Sequence, residues 1–253
     1  MTQILILAAG AGKRFAEAGY KTPKPFLPTP GRPHVPLWLA TASDCMREFG
    51  PASVTVAVPA EHVERAENDL PGVTVVSIPK LTSGAAATVL ACRGVLFMDE
   101  PLIIANSDQR FDLWASEEEA GYDAGRSRLE GMRTGAADGY VLTMDPPGDP
   151  KRWSYAILDK RWNGKVRCIV EKPLVKPDGE ATVGVYCFRT AQMAFDAIER
   201  MVAANDRTNG EFYLAPAINH VDGGNFLTRR VASFVPLGTP EDYAAAGGPG
   251  PSE

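Results

Sequence analysis

Unbroken apolar runs of strand length, separated by stretches with helical spacing, constrain the fold of this chain most strongly. The runs are QILILAA (3–9), SVTVAVP (53–59), VTVVSI (73–78) and PLIIAN (101–106). Helical spacing falls between them, over about 35–48, 60–69 and 83–96. Strands that are apolar on both faces and alternate with helices are typical of a parallel sheet covered by helices on both sides. Residues 1–110 are therefore predicted to form a doubly wound α/β unit.

The second half of the chain changes character, because its strand-like runs are joined by short polar links. These runs cover residues 138–144, 155–159, 165–171 and 181–188. The Asn163-Gly164 pair between two of them is a strong hairpin-turn signal. Helices are expected over about 190–203 and 211–220, with a last strand near 230–235. A single α/β domain with a mixed, mostly parallel central sheet flanked by helices is the simplest prediction.

The turn after the first apolar run is suited to an anion. Gly10 and Gly12 follow a buried strand directly, so the backbone can turn its N–H groups toward a phosphate. A predicted helix start adds positive potential, and Lys13 and Arg14 stand beside it. A P-loop needs a Ser or Thr after the lysine, and a dinucleotide-binding turn needs a third glycine where Phe15 stands. The turn matches neither template.

Three later positions combine a special backbone setting with chemistry. Lys24 stands between two prolines, which fix the backbone and aim a single cation. Asp108 follows an apolar strand, and ligands bind at the carboxyl ends of strands in open α/β sheets. The alternative for Asp108 is a helix N-cap. Gly184 interrupts a β-rich run, which often marks the close approach of a ligand.

The opening segment resembles the signature of the nucleotidyltransferases that make activated sugars and alcohols, L-A-x-G-x-G-x-R followed by P-K. It stands here as Leu7, Ala8, Gly10, Gly12, Arg14, Pro23, Lys24 and Pro25. Six further segments follow in the order of the family: TSGAAATVL (82–90), LIIANSDQ (102–109), IVEKP (169–173), ATVGVYCF (181–188), NGEFYLAPAINH (209–220) and LGTPEDY (237–243). Details such as D-P-x-x-W-S-Y look like the subgroup that makes capsule and surface-polysaccharide precursors.

This resemblance implies a GT-A-type, Rossmann-like fold and a reaction. A nucleoside monophosphate would pass from an NTP to a phosphorylated acceptor, a sugar 1-phosphate, with release of pyrophosphate and with Mg²⁺ as cofactor. The nucleotide would bind in about 1–110 and the acceptor in 111–243, with 244–253 as a flexible tail. A cytidylyltransferase acting on a non-sugar phosphate is an alternative within the same chemistry.

The resemblance also implies roles for individual residues. Arg14 would hold the leaving phosphates, Lys24 would sit at the α-phosphate, and Lys172 would bind the acceptor phosphate. The residues implied to bind the nucleotide are Leu7, Ala8, Ala9, Gly10, Gly12, Lys13, Ser83, Gly84 and Asn106. Those implied to bind the acceptor are Glu171, Gly184 and Glu211.

The metal site departs from the commonest pattern of the family. Asp108 would bind Mg²⁺, but the second acidic position, just before the Gly-Thr pair, is held here by Pro236. Related cytidylyltransferases use an Asp in a P-E-D segment, which favours Asp242 over Glu241. A Glu-Asp pair at a helix start also suits the helix dipole. Asp242 could therefore be either a metal ligand or a helix cap, and the sequence leaves both roles open.

Two other classes of protein compete with this interpretation. A glycosyltransferase of the same fold would use a nucleotide sugar as donor and normally needs D-x-D, whereas NSDQR contains one Asp. A nucleotide-sensing module without catalysis could lose the cations, yet Arg14, Lys24 and Asp108 are all present. Release of pyrophosphate from an NTP separates the nucleotidyltransferase from both.

Composition bounds the partners. The chain has 253 residues and a net charge of −5, so no whole-protein basic field attracts nucleic acid. No apolar run is long enough to insert into a membrane, and the first run has no basic leader. Four widely spaced cysteines (Cys45, Cys92, Cys168 and Cys187) are expected as reduced thiols. A cytoplasmic enzyme with an NTP and a phosphorylated small molecule as partners is predicted, and a homo-oligomer is left open.

Overall fold

A computed structural model describes residues 1–113, 131–132, 134–145, 148–162 and 164–251. The strands are β1 Gln3–Leu7, β2 Pro28–Thr29, β3 Arg32–Pro36, β4 Ser53–Pro59, β5 Thr74–Ile78, β6 Leu102–Asn106, β7 Gln109–Asp112, β8 Gly139–Met144, β9 Ser154–Leu158, β10 Val166–Glu171, β11 Glu180–Phe188, β12 Phe226–Arg230 and β13 Ser233–Pro236. The α-helices are α1 Lys13–Glu17, α2 Leu37–Phe49, α3 Val63–Asp69, α4 Ala85–Ala91, α5 Ala191–Ala203 and α6 Pro240–Ala245. Short 3₁₀ helices are Lys24–Phe26, Ala60–His62, Arg93–Val95, Pro150–Arg152 and Ala215–His220.

The predicted mixed sheet is present and has nine strands in the described part of the chain. The part of the sheet formed by the first half of the chain is parallel, in the order β6-β1-β4-β5. Strand β11 then pairs antiparallel with β6, β8 and β9, while β12 adds to β8 in parallel and β10 to β9 antiparallel. The order reverses beside β1 and β6, which is where open α/β sheets leave a crevice for ligands.

Burial explains why the first apolar runs become parallel strands. Ile4, Leu5 and Ile6 of β1 are completely buried, and so are Ile103 and Ile104 of β6. Consecutive residues of a strand point to opposite faces, so both faces of these strands are covered. Apolar clusters lie on each side of the sheet, one around α4 and α5 and the other around α2. This agrees with the prediction of a doubly wound half.

The segment predicted as a helix over about 211–220 is a 3₁₀ helix over Ala215–His220. The helix prediction was wrong for 211–214, where Glu211 instead forms an isolated bridge with Thr208. Asn219 holds the segment against β10: its Oδ1 accepts from Ile169 N at 2.7 Å and its Nδ2 donates to Ile169 O at 2.9 Å. These two bonds tie the 3₁₀ segment to β10.

The end of the chain contains two strands where one was predicted near 230–235. Strand β12 extends the main sheet, and β13 forms a separate antiparallel pair with β7. In that pair Pro236 lies opposite Gln109, directly after Asp108. The hairpin predicted at Asn163-Gly164 is seen as the antiparallel pair of β9 and β10, although Asn163 itself lies outside the described residues. No helix in the described part of the chain has the length and apolarity needed to cross a bilayer.

The end of the described chain packs beside α1. Tyr20 Oη donates to Pro249 O at 3.2 Å, and the side chain of Pro251 lies 3.6 Å from where a Cβ on Gly19 would stand. The flexibility of the tail stays a prediction.

Candidate active site

The glycine-rich turn borders a cavity of about 500 Å³. Gly12 has φ of +59°, a left-handed conformation that favours glycine. Helix α1 begins there and has five residues. Such a short helix supplies little dipole of its own, so positive potential in the turn comes from its N–H groups and cations. Of the predicted nucleotide-binding set, the cavity is lined by Leu7, Ala9, Gly10, Gly12, Lys13, Gly84 and Asn106.

Two members of that set are placed differently. Ala8 lines an adjoining cavity of about 340 Å³ on the other side of the turn, which also reaches Lys80 and His62. Ser83 uses its carbonyl oxygen to accept from Phe212 N at 2.8 Å. Neither finding tests a role in nucleotide binding, which stays a prediction for both.

The glycine of the Ser-Gly turn is required by the neighbouring backbone. Gly84 has φ of +131°, and a Cβ there would lie 2.4 Å from Phe212 O. Ala86 N donates to that same oxygen at 3.1 Å. The backbone of Phe212 thus bonds to residues on both sides of Gly84, and these bonds tie the first half of the chain to the segment that carries Glu211 and Tyr213.

Lys24 and Asp108 form an ion pair at the mouth of the cavity. Lys24 Nζ lies 2.6 Å from Asp108 Oδ2, and each side chain is 20% exposed. Asp108 follows β6, as predicted, and its carbonyl accepts from Leu237 N at 2.9 Å. A Cβ on Gly238 would lie 3.1 Å from Asp108 Oδ2. Asp108 is therefore no helix cap, since the residues after it form β7.

A second cavity of about 320 Å³ adjoins the first and contains the predicted acceptor side. Arg14, Asn106, Asp108, Tyr213 and Gly238 line both cavities. Glu171, Lys172 and Gly184 line the second cavity, together with aromatic side chains such as Trp153 and Tyr186. Glu211 lines the first cavity, which borders the glycine-rich turn. Its predicted contact with the acceptor stays a prediction.

Glu171 and Lys172 are held in defined positions at the end of β10. Burial raises the pKa of Glu171, although a hydrogen bond from Ser154 Oγ and the charge of Lys172 act in the opposite direction. Lys172 has φ of +45°, which is unusual for a residue with a side chain. Its Nζ donates to Tyr213 Oη at 2.5 Å and lies 4.1 Å from the centre of that ring. Burial, followed by the charge of Glu211, raises the pKa of Tyr213 to about 12.

The glycine within β11 makes room for side chains. Gly184 has φ of +76°, at a register shift between Thr182 and Tyr186. A Cβ there would lie 2.5 Å from Asn106 Nδ2 and 2.8 Å from Gln109 Oε1. The structure thus gives a packing reason for a glycine that the sequence linked to a ligand.

The chain matches the family described as nucleotidyl transferase over residues 3–246. It belongs to this family. The enzyme is a nucleotidyltransferase, and its fold agrees with that assignment. A nucleoside-diphosphate-sugar pyrophosphorylase from Vibrio cholerae RC9 superposes with a TM-score of 0.74 at 22% identity, covering 97% of this chain and 99% of the other. A structure assigned as a glucose-1-phosphate thymidylyltransferase from Bacillus anthracis, in complex with a sucrose, gives 0.70 at 17% identity, covering 97% and 94%. None of the curated proteins matches the chain.

Asp242 of the nucleotidyltransferase lines the same cavity as Asp108, whereas Glu241 lies exposed outside it. Thr239 caps α6 by accepting from Asp242 N at 3.2 Å, and Thr239 Oγ1 donates to Asp242 Oδ2 at 3.0 Å. Arg152 Nη2 donates to that same carboxylate oxygen. The hydroxyl cap is therefore Thr239, which leaves the Asp242 carboxylate facing the cavity.

Aromatic packing fixes α6 beside the glycine-rich turn. Tyr243 is completely buried, packs edge-on against Phe15 of α1 with centroids 5.9 Å apart, and donates through Oη to Pro28 O at 2.7 Å. The positive charges of Arg14 and Arg152 also contribute to lowering the pKa of Glu241, behind its hydrogen bonds to backbone and Thr239. Arg14 thus lies near the start of α6, between the two halves.

Sequence reasoning missed three side chains of this site, Arg152, Trp153 and Tyr213. All three line the second cavity. Arg152 and Trp153 belong to DPKRWSY, and Tyr213 to NGEFY. Both segments resemble the family and therefore contained a signal, but only the fold brings them to Asp242 and Lys172.

Proposed function

We propose that the enzyme transfers a nucleoside monophosphate from an NTP to a sugar 1-phosphate and releases pyrophosphate. The observation that carries this proposal is the Lys24–Asp108 ion pair at the junction of two adjoining cavities. One cavity is bordered by a glycine-rich turn suited to phosphates, and the other by cations and aromatic rings. One structural neighbour is described as a nucleoside-diphosphate-sugar pyrophosphorylase and the other as a glucose-1-phosphate thymidylyltransferase, which supports a sugar 1-phosphate as the acceptor.

The obstacle in this reaction is charge. An oxygen of the acceptor phosphate forms a bond to the α-phosphorus while the bond to pyrophosphate breaks, so negative charge grows on the leaving group. Positioning and electrostatic stabilisation therefore carry catalysis, and no nucleophile of the protein is needed. In this proposal Arg14 holds the leaving phosphates, Lys24 acts at the α-phosphate and Lys172 binds the acceptor phosphate. These roles are supported by the lining of the cavities, since Lys24 lines the first, Lys172 the second and Arg14 both.

Lys172 is oriented before any substrate binds. Lys172 Nζ donates a hydrogen bond to the hydroxyl oxygen of Tyr213 and lies over the ring of that tyrosine. This hydroxyl is neutral at neutral pH, and its raised pKa moves the loss of its proton still further above that range, so it adds no negative charge beside incoming phosphates. The Glu171 carboxylate nearby is suited to accept from a hydroxyl of the acceptor, because carboxylates are strong acceptors.

The carboxylates of the site suit a divalent metal ion. The family generally uses one, and Mg²⁺ is our proposal. Asp108 and Asp242 line one cavity and offer hard oxygen donors, although the described residues contain no cluster of three or more acidic, His or Cys side chains. Mg²⁺ is commonly held by one or two carboxylates together with substrate phosphates. When bound, such an ion neutralises phosphate charge and helps to align the reacting groups.

The decisive experiment is a matrix of NTPs against sugar 1-phosphates with pyrophosphate detection. We expect pyrophosphate only when one NTP, one acceptor and a divalent metal are present together. A glycosyltransferase would give none with any NTP. Hydrolysis that ignores the acceptor would also contradict the proposal. A role in surface-polysaccharide synthesis and a cytoplasmic location stay predictions from the sequence.

A further inference from the structure

Both candidate metal carboxylates are neutralised by a basic side chain of the enzyme itself. Lys24 pairs with Asp108, and Arg152 pairs with Asp242. Lys24 already has a role in the proposed reaction, whereas Arg152 has none. Arg152, Asp242 and Asp108 line the second cavity, and Lys24 lines the first. Release of Arg152 from Asp242 would therefore free one positive and one negative charge within the second cavity.

We propose that Arg152 is a further phosphate-binding residue of the acceptor side. Asp242 binds its guanidinium until a substrate phosphate replaces Asp242 as the partner. This inference rests on the proposed function, because it assumes that a phosphorylated acceptor enters the second cavity. The carboxylate that Arg152 leaves would then be available to a metal ion.

The two partners of this ion pair differ in exposure and in their other contacts. The Asp242 side chain is 14% exposed and is bound by Thr239 Oγ1 at 3.0 Å. The Arg152 side chain is 41% exposed, and its Cζ lies 5.4 Å from the centre of the Trp153 ring, which lines the cavity. An arginine can rest over an aromatic face as well as on a carboxylate. Arg152 is therefore the partner that can turn toward a ligand.

The chemistry of the guanidinium favours a phosphate as that ligand. Its planar set of donors matches two phosphate oxygens at once, which a lysine cannot do. The neighbouring cations of the cavity are Arg14, Lys151 and Lys172. Lys172 is already bonded to Tyr213. A partly exposed ion pair contributes little on its own, so a doubly charged phosphate can compete with Asp242 for Arg152.

The alternative is that the ion pair only fastens the 3₁₀ helix Pro150–Arg152 to α6. Titration of inorganic phosphate into metal-free enzyme, by calorimetry in the presence of EDTA, separates the two. The proteins compared are wild type, Asp242→Asn, Arg152→Met and the double variant. Lys151→Met is the matched control, since it removes the same charge one position earlier and its side chain is not the partner of Asp242.

Asp242→Asn should tighten phosphate binding by about three- to fivefold, the scale of a partly exposed ion pair, because Arg152 is released. Arg152→Met should weaken binding by a similar factor, and the double variant should bind like Arg152→Met. Lys151→Met should have a clearly smaller effect than Arg152→Met.

The inference is overturned if the gain from Asp242→Asn persists in the double variant, because the gain then comes from lost repulsion alone. Equal losses in Lys151→Met and Arg152→Met would also overturn it. No step of this test needs turnover. If the enzyme transfers a nucleotide but the variants do not change phosphate binding as expected, only the role of Arg152 is wrong. If phosphate binding changes as expected but no nucleotide is transferred, only the proposed function is wrong.

Discussion

Among single residues, one lysine between two prolines is central to the proposed reaction. Pro23 and Pro25 restrict the backbone around Lys24, and the short 3₁₀ helix Lys24–Phe26 directs its side chain to Asp108. The charge is only 20% exposed, so less water screens it than at the surface. A cation fixed in this way costs little reorganisation when negative charge develops.

Lys24→Ala should lower kcat/KM by about 10²–10³, the effect of losing one preorganised charge contact in a transition state. Steady-state kinetics with pyrophosphate detection measure it, alongside circular dichroism to show that the fold is kept. Lys21→Ala, three residues earlier and exposed, is the matched control and should stay near wild type. Near wild-type kcat/KM in Lys24→Ala would remove the assigned role.

Asp242→Asn should lower kcat by at least about tenfold, partly recovered at high Mn²⁺ or Mg²⁺, because a metal carboxylate is lost. Glu241→Gln should stay near wild type, since that side chain lies outside the cavity. Thermal melting tests for a structural effect instead, because loss of a helix cap costs about 0.5–2 kcal/mol of stability. Thr239 is the cap of α6, so the melting temperature of Asp242→Asn should change little. If only the melting temperature of Asp242→Asn falls, or if Glu241→Gln gives the kinetic defect, the metal assignment is wrong.

At the scale of the element, the Ser-Gly turn before α4 and the segment around Phe212 form one unit. Phe212 N donates to Ser83 O and Ala86 N to Phe212 O. These two bonds couple the turn to the segment that carries Tyr213, whose hydroxyl accepts a hydrogen bond from Lys172.

Gly84→Ala should lower the free energy of unfolding by about 2–4 kcal/mol, through a strained backbone and a clash with Phe212 O. Chemical denaturation measures this value. Gly94→Ala is the control, since its Cβ would have no neighbour within 4 Å and its φ is not left-handed, so its change should stay within about 0.5 kcal/mol. Equal stability of the two variants would contradict the described pairing.

Lys172→Ala should raise the KM for the acceptor by about 10–100-fold and change the KM for the NTP little, since a charged hydrogen bond contributes about 1.5–3 kcal/mol. Tyr213→Phe should give the same pattern with a smaller size. Lys176→Ala, in the same loop but exposed, controls for general charge effects. A larger effect on the NTP than on the acceptor would mean that the two cavities are assigned the wrong way round.

The strands that are buried on both faces were predictable from the sequence, because their apolar runs need no knowledge of distant neighbours. Strand β7 was not, since three of its four residues, Gln109–Asp112, are polar and the strand pairs with β13, far away in the chain. The 3₁₀ helix that ends at His220 depends on Asn219 bonding to β10. Non-local contacts of this kind leave no periodicity in the sequence.

The site shows the same division. The motif residues Arg14, Lys24 and Asp108 were found from local patterns, and the structure brings them together. The packing reasons for Gly84 and Gly184, and the ion pair of Arg152 with Asp242, depend on segments far apart in the chain. Sequence therefore indicated the chemistry better than it indicated the contacts that hold each group in place.

At the scale of the whole molecule, one continuous sheet carries both halves of the site. Strand β11 joins the parallel part of the sheet to the antiparallel part, and its glycine lies where Asn106 and Gln109 approach it. The two cavities meet at Arg14, Asn106 and Asp108. Substrates bound in both cavities would bring their phosphates together at this junction.

The most direct test of the account follows the label of the NTP. With the nucleotide identified by the substrate matrix, label at the α-phosphorus should appear in a product that contains the acceptor. Label at the γ-phosphorus should appear in pyrophosphate, and both should require the acceptor and a divalent metal. Transfer of the γ-label to the acceptor, or release of label without acceptor, would contradict nucleotidyl transfer at this site.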